Sequence, residues 1–138
     1  MGKVTVKVKL TNAADTILAQ AGVIGPGQIR SVEVEALVDT GATMLVLPRK
    51  VVERLGLPVV REVTVRYADD RTERREVAGF VKAEIMGREA LVEALVEDGE
   101  QVLVGQVPLE VMDLVVDPRK GTLGPRPESP EEPLIDLL

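Results

Sequence analysis

The sequence predicts a mainly β domain, and three observations carry that prediction. Apolar residues alternate with polar ones at Val4, Val6, Val8 and Leu10, and again at Val32, Val34, Ala36 and Val38. A period of two sets one face of a segment on a core and the other toward water, which is the pattern of a half-buried strand. Valine is used heavily, and its branched side chain packs well on a pleated surface. Turn-forming clusters then punctuate the chain at short intervals, among them Gly25-Pro26-Gly27 and Glu97-Asp98-Gly99-Glu100.

Each element follows in order. Residues 3–10 form the first strand, with Lys3, Lys7 and Lys9 on its wet face, where they would guard a sheet edge. Thr11 or Asn12 caps a short helix over residues 13–21, stopped by Gly22. Residues 31–38 form the second strand. It loses its polar partners at Leu37, which predicts burial on both faces as it reaches Asp39. The chain is apolar again over residues 44–47. Pro48 then opens a helix over residues 49–55, closed by Gly56. Residues 59–67 and 72–86 make a long hairpin with a polar tip, Ala68-Asp69-Asp70-Arg71. Strands follow at residues 89–96, 102–104 and 114–116, with a short helix from Pro108 to Met112. The sum is eight or so strands and two or three brief helices.

With 138 residues, one domain is expected. It is placed at residues 1–124, followed by a Pro/Glu-rich C-terminal arm at 125–138, extended or disordered. The apolar end of the arm, Leu134-Ile135-Asp136-Leu137-Leu138, is expected to dock.

Composition removes whole classes of chemistry. There is no Cys and no His, so disulfides, thiol nucleophiles, histidine bases and Cys/His zinc sites are excluded. The net charge of −6, with no basic patch, argues against a nucleic-acid partner. No apolar run approaches 18 residues and the N-terminus does not read as a signal peptide, so a soluble cytoplasmic protein with no membrane partner is expected. No cofactor and no metal are predicted.

One constellation remains that can do chemistry. The apolar strand delivers Asp39 to a Thr40-Gly41 turn, with more apolar sequence beyond. An ionised carboxylate with no local cation is costly to bury. A second carboxylate sharing its proton is one remedy, because two close carboxyls cannot both ionise. Such a pair can hold a water, take its proton as it attacks an amide carbonyl, and protonate the leaving nitrogen. Gly41 lets backbone approach the carboxylate and donate an N–H, and Thr40 can hydrogen-bond across the pair. The chain holds one such motif, so its partner would come from a second copy across a two-fold axis.

The run Ala36-Leu37-Val38-Asp39-Thr40-Gly41-Ala42-Thr43, followed by Leu45-Val46-Leu47-Pro48, resembles the active-site loop of the retropepsin-like aspartic proteases, the retroviral type and its prokaryotic relatives. Tyr67-Ala68-Asp69-Asp70-Arg71 is similar to the family's flap tip. Val102-Leu103-Val104-Gly105, with Pro108 to Met112 and Leu114 to Pro118, is similar to the segment that completes the barrel. The resemblance spans about residues 30–120. It implies a closed acid-protease barrel with a flap hairpin, a homodimer, Asp39 as the catalytic group in an Asp39/Asp39 dyad, and a peptide or protein substrate under the flaps. Thr40, Gly41 and Ala42 would support the loop, with Thr40 interlocking with its twin. Tyr67, Ala68, Asp69 and Asp70 would border the cleft. The alternative is a catalytically silent dimeric module that binds a peptide or protein in the same cleft.

The chain departs from the viral pattern in three places, and the insertion at residues 12–30 and the helix at 49–55 are further elaborations. Thr43 stands where the viral branch usually has an acid, Gln106 where it commonly has Arg, and the tip lacks the multiple viral glycines. Plainer readings apply elsewhere. Asp69 and Asp70 read first as turn formers. Tyr67 reads equally as a cleft residue or as a rim tyrosine packed on its hairpin. Met44 and Met112 read as core. Arg71, Arg74 and Arg75 with Glu73 and Glu76 read as a solvated strand face.

Overall fold

A computed structural model describes residues 3–137, which contain nine strands and three α-helices. In chain order these are β1 (Val4–Asn12), α1 (Ala13–Gln20), a 3-10 turn (Pro26–Gln28), β2 (Ser31–Val38), β3 (Leu45–Pro48) and α2 (Arg49–Leu55). Then come β4 (Val59–Arg66), β5 (Thr72–Ile85), β6 (Arg88–Glu97), β7 (Val102–Val104), α3 (Gln106–Met112), β8 (Leu114–Asp117) and β9 (Thr122–Pro125). β9 falls across the expected boundary of the C-terminal arm.

Six strands close a mixed barrel in the order β1-β2-β7-β3-β6-β5, and β5 pairs back onto β1 from Lys9↔Glu84 to Asn12↔Val81. This is the closed, mainly β barrel that the resemblance implies. The β2–β7 and β3–β6 pairs are parallel and the rest antiparallel. β5 covers the second side of β1 only from Lys9 to Asn12, so the edge is closed at Lys9, while the stretch before it is paired with β2 alone. Lys7 and Lys9 stand opposite Glu35 and Glu33 on β2, favourable cross-strand pairs on the wet face.

The alternating residues fill the barrel as expected. Val8, Leu10, Leu45, Leu47, Val81 and Val104 are fully buried. The core is aliphatic with one methionine, Met112, since Tyr67 is half-buried and Phe80 is 50% exposed. Met44, by contrast, lies half-buried in a separate small cluster with Val46, Val77 and Leu95.

The insertion between β1 and β2 is held by buried polar groups. Asn12 caps α1, its Oδ1 accepting the Asp15 amide at 3.1 Å, and its Nδ2 donates to the Leu55 carbonyl at 2.8 Å. The Asp15 carboxylate accepts from the Arg30 amide at 3.0 Å and from the Nε and Nη2 of its guanidinium, at 2.8 and 3.0 Å. That fork-to-carboxylate pairing holds the Asp15 carboxyl below its ordinary range. Asp15→Ala removes the acceptor and orphans the Arg30 amide, and is expected to cost about 2 kcal/mol in urea unfolding. Since the folded-state value is depressed, this stabilisation is complete above the ordinary aspartate value of about 3.9 and is lost as pH falls below it. Acid denaturation of the parent should therefore shift relative to Asp15→Ala below about pH 4 and run parallel to it at neutral pH.

The C-terminal arm docks through polar groups of residues 126–134, and not through the apolar end that was expected to dock. Arg88 is buried and donates to the carbonyls of Met112, Asp113 and Ser129. Asp113 pairs with Arg126 at 2.7 Å and accepts the Leu134 amide at 3.0 Å. Leu134, Ile135 and Leu137 are exposed, and Leu138 lies outside the described residues.

Candidate active site

β2 runs parallel to β7, and the two strands deliver their ends to one place. The Asp39 amide donates to the Val104 carbonyl at 3.0 Å. Beyond Asp39 the chain turns sharply. The Ala42 amide donates to the Asp39 carbonyl at 3.0 Å, and the Gly41 amide to Asp39 Oδ1, also at 3.0 Å. A Cβ on Gly41 would stand 3.2 Å from that oxygen, tight enough to press on the carboxylate. Among the described residues, the Gly41 amide is the one donor to the Asp39 side chain and no cation pairs with it.

The far side of the loop is clamped by the segment after β7. The Gln106 amide donates to Ala42 O and the Val107 amide to Thr43 O, both at 2.8 Å. Gly105 makes this approach possible. A Cβ there would lie 2.6 Å from the Ala42 carbonyl oxygen and closer still to that of Met44. The departure from the viral pattern at Gln106 leaves its backbone clamp intact, since the amide and not the side chain makes the bond.

Asp39 is half-buried and Thr40 exposed, whereas burial on both faces was expected. Leu37 and Val38 are also half-covered. The single chain leaves open a groove of about 260 Å³ beside Asp39, walled by Val4, Leu37, Val38, Val116 and Pro118. On the other side of the loop lies a larger cavity of about 650 Å³. Asp39, Gly41, Ala42 and Thr43 form one wall, Val46, Leu95 and Leu103 the floor, and the underside of the β4–β5 hairpin, Val63, Val65, Tyr67 and Ala68, the cover.

The hairpin tip is a three-residue loop. Asp70 donates its amide to Tyr67 O at 2.9 Å, the Tyr67 amide reaches Arg71 O at 2.8 Å, and Asp69 Oδ1 accepts the Arg71 amide at 3.1 Å. Asp70 adopts a left-handed conformation, φ 67°. Asp69 and Asp70 are exposed turn formers, and neither lines the cavity. Asp70→Gly removes the Cβ penalty at that position and is expected to stabilise the fold by about 0.5 kcal/mol, read as a higher urea midpoint. Tyr67 and Ala68 do line the cavity. The Arg71 guanidinium sits 4.5 Å above the Tyr67 ring, and the phenol oxygen lies within 3.4 Å of Glu73, Arg75 and Glu97. Arg75 and Glu73 are thus half-buried and paired, so the solvated-face reading fails for them. Strand alternation puts both on the Tyr67 side of the hairpin, while Arg74 and Thr72 point to water.

Residues 25–110, more than half of the chain, match the family model described as "gag-polyprotein putative aspartyl protease". The chain belongs to this retropepsin-like family. Among curated proteins none matches it. The match takes in the Asp39 loop, the β4–β5 hairpin and the Gly105 clamp of this retropepsin-like chain, and it starts within the β1–β2 insertion. Sequence reasoning missed Glu97, which lines the cavity, and Arg75, which pairs with it, because their meeting depends on the β5–β6 register. No group of three or more Asp or Glu side chains that could hold a metal ion occurs among the described residues. No helix there is long and apolar enough to cross a membrane.

Proposed function

We propose that this chain is a homodimeric aspartic endopeptidase, in which the Asp39 carboxylates of two copies form one catalytic dyad. The observation that carries the reading is the exposure of Asp39 on two sides. One side opens on a cavity of peptide-binding size under a hairpin. The other meets an apolar groove that a single chain leaves uncovered. A second copy seated on that groove by a two-fold contact brings its own Asp39 to the first. Thr40 is among the residues lining the groove, and in the proposed dimer it would meet its twin while Val4, Val38 and Val116 make the apolar contact.

The chemistry then follows from two carboxyls sharing one proton. The ionised carboxylate removes a proton from a bound water as the oxygen attacks the amide carbonyl. The protonated carboxyl donates to the carbonyl oxygen, giving a tetrahedral diol. Return of a proton to the nitrogen and collapse of the diol break the C–N bond and release an acid and an amine. Gly41 fixes the carboxylate by its amide, Ala42 carries the clamp to β7–α3, and Tyr67 and Ala68 form the flap over the substrate. The aliphatic floor fits apolar side chains around the scissile bond.

Digestion of a broad peptide library from about pH 4 to 7, with and without a statine-type transition-state analogue, tests this. Cleavage suppressed by the analogue is expected. A dimer that binds library peptides and cleaves none of them would support the silent module instead.

A further inference from the structure

The flap stem carries a charge cluster that the dyad does not use, and its place in the register is specific. β5 and β6 pair from Ile85↔Arg88 up to Val77↔Leu95. One step further along the same face stand Arg75 and Glu97, with no ladder pair between them. There β6 ends, and β5 continues paired only with β4, through Val63↔Arg75 and Val65↔Glu73. Arg75 therefore sits at the fork where the flap leaves the barrel.

Its contacts bridge the fork. Within the flap, Nη2 meets Glu73 at 2.7 Å and Nε donates to the Tyr67 hydroxyl at 3.3 Å. Across the fork, it meets Glu97 at 3.4 Å and Asp98 at 3.6 Å. Arg49 of α2 adds a second bridge, to Asp98 at 3.3 Å and Glu76 at 2.8 Å. Both Arg75 and Glu97 are about three-quarters covered, so this bridge is less open to water than an ordinary surface pair.

Resting on the protease reading for its catalytic consequence, we propose that Arg75 is a positioning residue. It fixes Tyr67 over the cleft and pins the flap stem to the cleft wall, so that flap closure is governed by an ionic clamp at the fork. The apolar contact of Val63 and Val65 with Val46, Val77 and Leu95 also holds the flap down. That contact is not weakened by salt, whereas the clamp, covered only in part, is weakened to some extent as the Debye length falls from about 10 Å at 0.1 M to about 3 Å at 1 M salt. The two holds are therefore separable.

Amide hydrogen exchange of the flap, read without substrate, is the test. Arg75→Met keeps the aliphatic stem and loses the donors. It should speed exchange of β4 and tip amides roughly tenfold while barrel amides in β1 and β6 keep their protection. The parent should show a smaller increase in the same direction on going from low to high salt, and Arg75→Met should show little. Arg75→Lys should recover part of the protection, because it restores charge without the fork. With peptide substrate, Arg75→Met should raise KM several-fold at nearly constant kcat. Equal flap exchange in parent and Arg75→Met at both salt levels would overturn the clamp. If Arg75→Met fails to fold, Glu97→Gln and the salt series on the parent decide the matter by the same readout. A parent that hydrolyses nothing would sink the protease reading, and the exchange result would still judge the clamp.

Discussion

Asp39→Asn is expected to abolish peptide hydrolysis, with kcat falling at least about a thousandfold, while the protein keeps its fold and the proposed dimer. The separation of the two effects comes from the local geometry. Asparagine Oδ1 can still accept the Gly41 amide that now holds Asp39 Oδ1 at 3.0 Å. No cation is left unpaired, because none pairs with Asp39 among the described residues. The unfolding midpoint should therefore move by no more than the equivalent of about 0.5–1 kcal/mol. What the amide cannot do is take a proton from water, so neither half of the proposed dyad could start the reaction. Retention of more than a few per cent of parental kcat in Asp39→Asn would remove Asp39 from the mechanism.

Gly105→Ala should have the second-largest effect, and by a different route. The added methyl points at the carbonyl oxygens of Ala42 and Met44, 2.6 Å from the former, where backbone and not a flexible side chain must yield. The Gln106 and Val107 amides that clamp residues 42 and 43 move with it. A loss of about 2–4 kcal/mol in urea unfolding is expected. Any folded fraction should have lost activity, because the displaced loop carries Asp39. Gly124→Ala is the control, since a Cβ there meets nothing within 4 Å, and it should stay within about 0.5 kcal/mol of the parent. Equal stability and activity in the two variants would show that the clamp does not position the loop.

Much of this architecture is legible in local sequence, and the rest is hidden for identifiable reasons. The alternation of β1 and β2, the Asn12 cap and the stop of α2 at Gly56, which is left-handed at φ 65°, are all nearest-neighbour effects. They can be read without knowing the fold. The 67–71 tip is equally local. β9 escaped because Gly124 and Pro125 disguise a short strand whose pairing with β8 is decided by the turn at residues 118–121. The Asp15–Arg30 pair looks like two unrelated surface charges until the insertion folds back on itself. The same applies to Arg88, whose burial depends on carbonyls from residues 112, 113 and 129.

The candidate site divides in the same way. The Asp39 loop and the Gly105 segment stand out by residue type, and the parallel pairing of β2 with β7 explains why they meet. Arg75 and Glu97 carry no such mark, since their partnership exists only in the β5–β6 register. The half-exposure of Leu37, Val38 and Asp39 differs from the burial that the apolar run predicts. In the proposed dimer a second copy supplies the missing cover, so the discrepancy itself points to the interface.

The most direct test of the account is therefore the separation of the two Asp39 carboxylates in a crystal structure of the assembled protein. The dyad predicts an oxygen–oxygen distance of about 2.6–3.2 Å across a two-fold axis, with the larger cavities of both chains opening on that point. Carboxylates held apart beyond hydrogen-bond reach in the dimer, or a chain that stays monomeric at micromolar concentration, would contradict it.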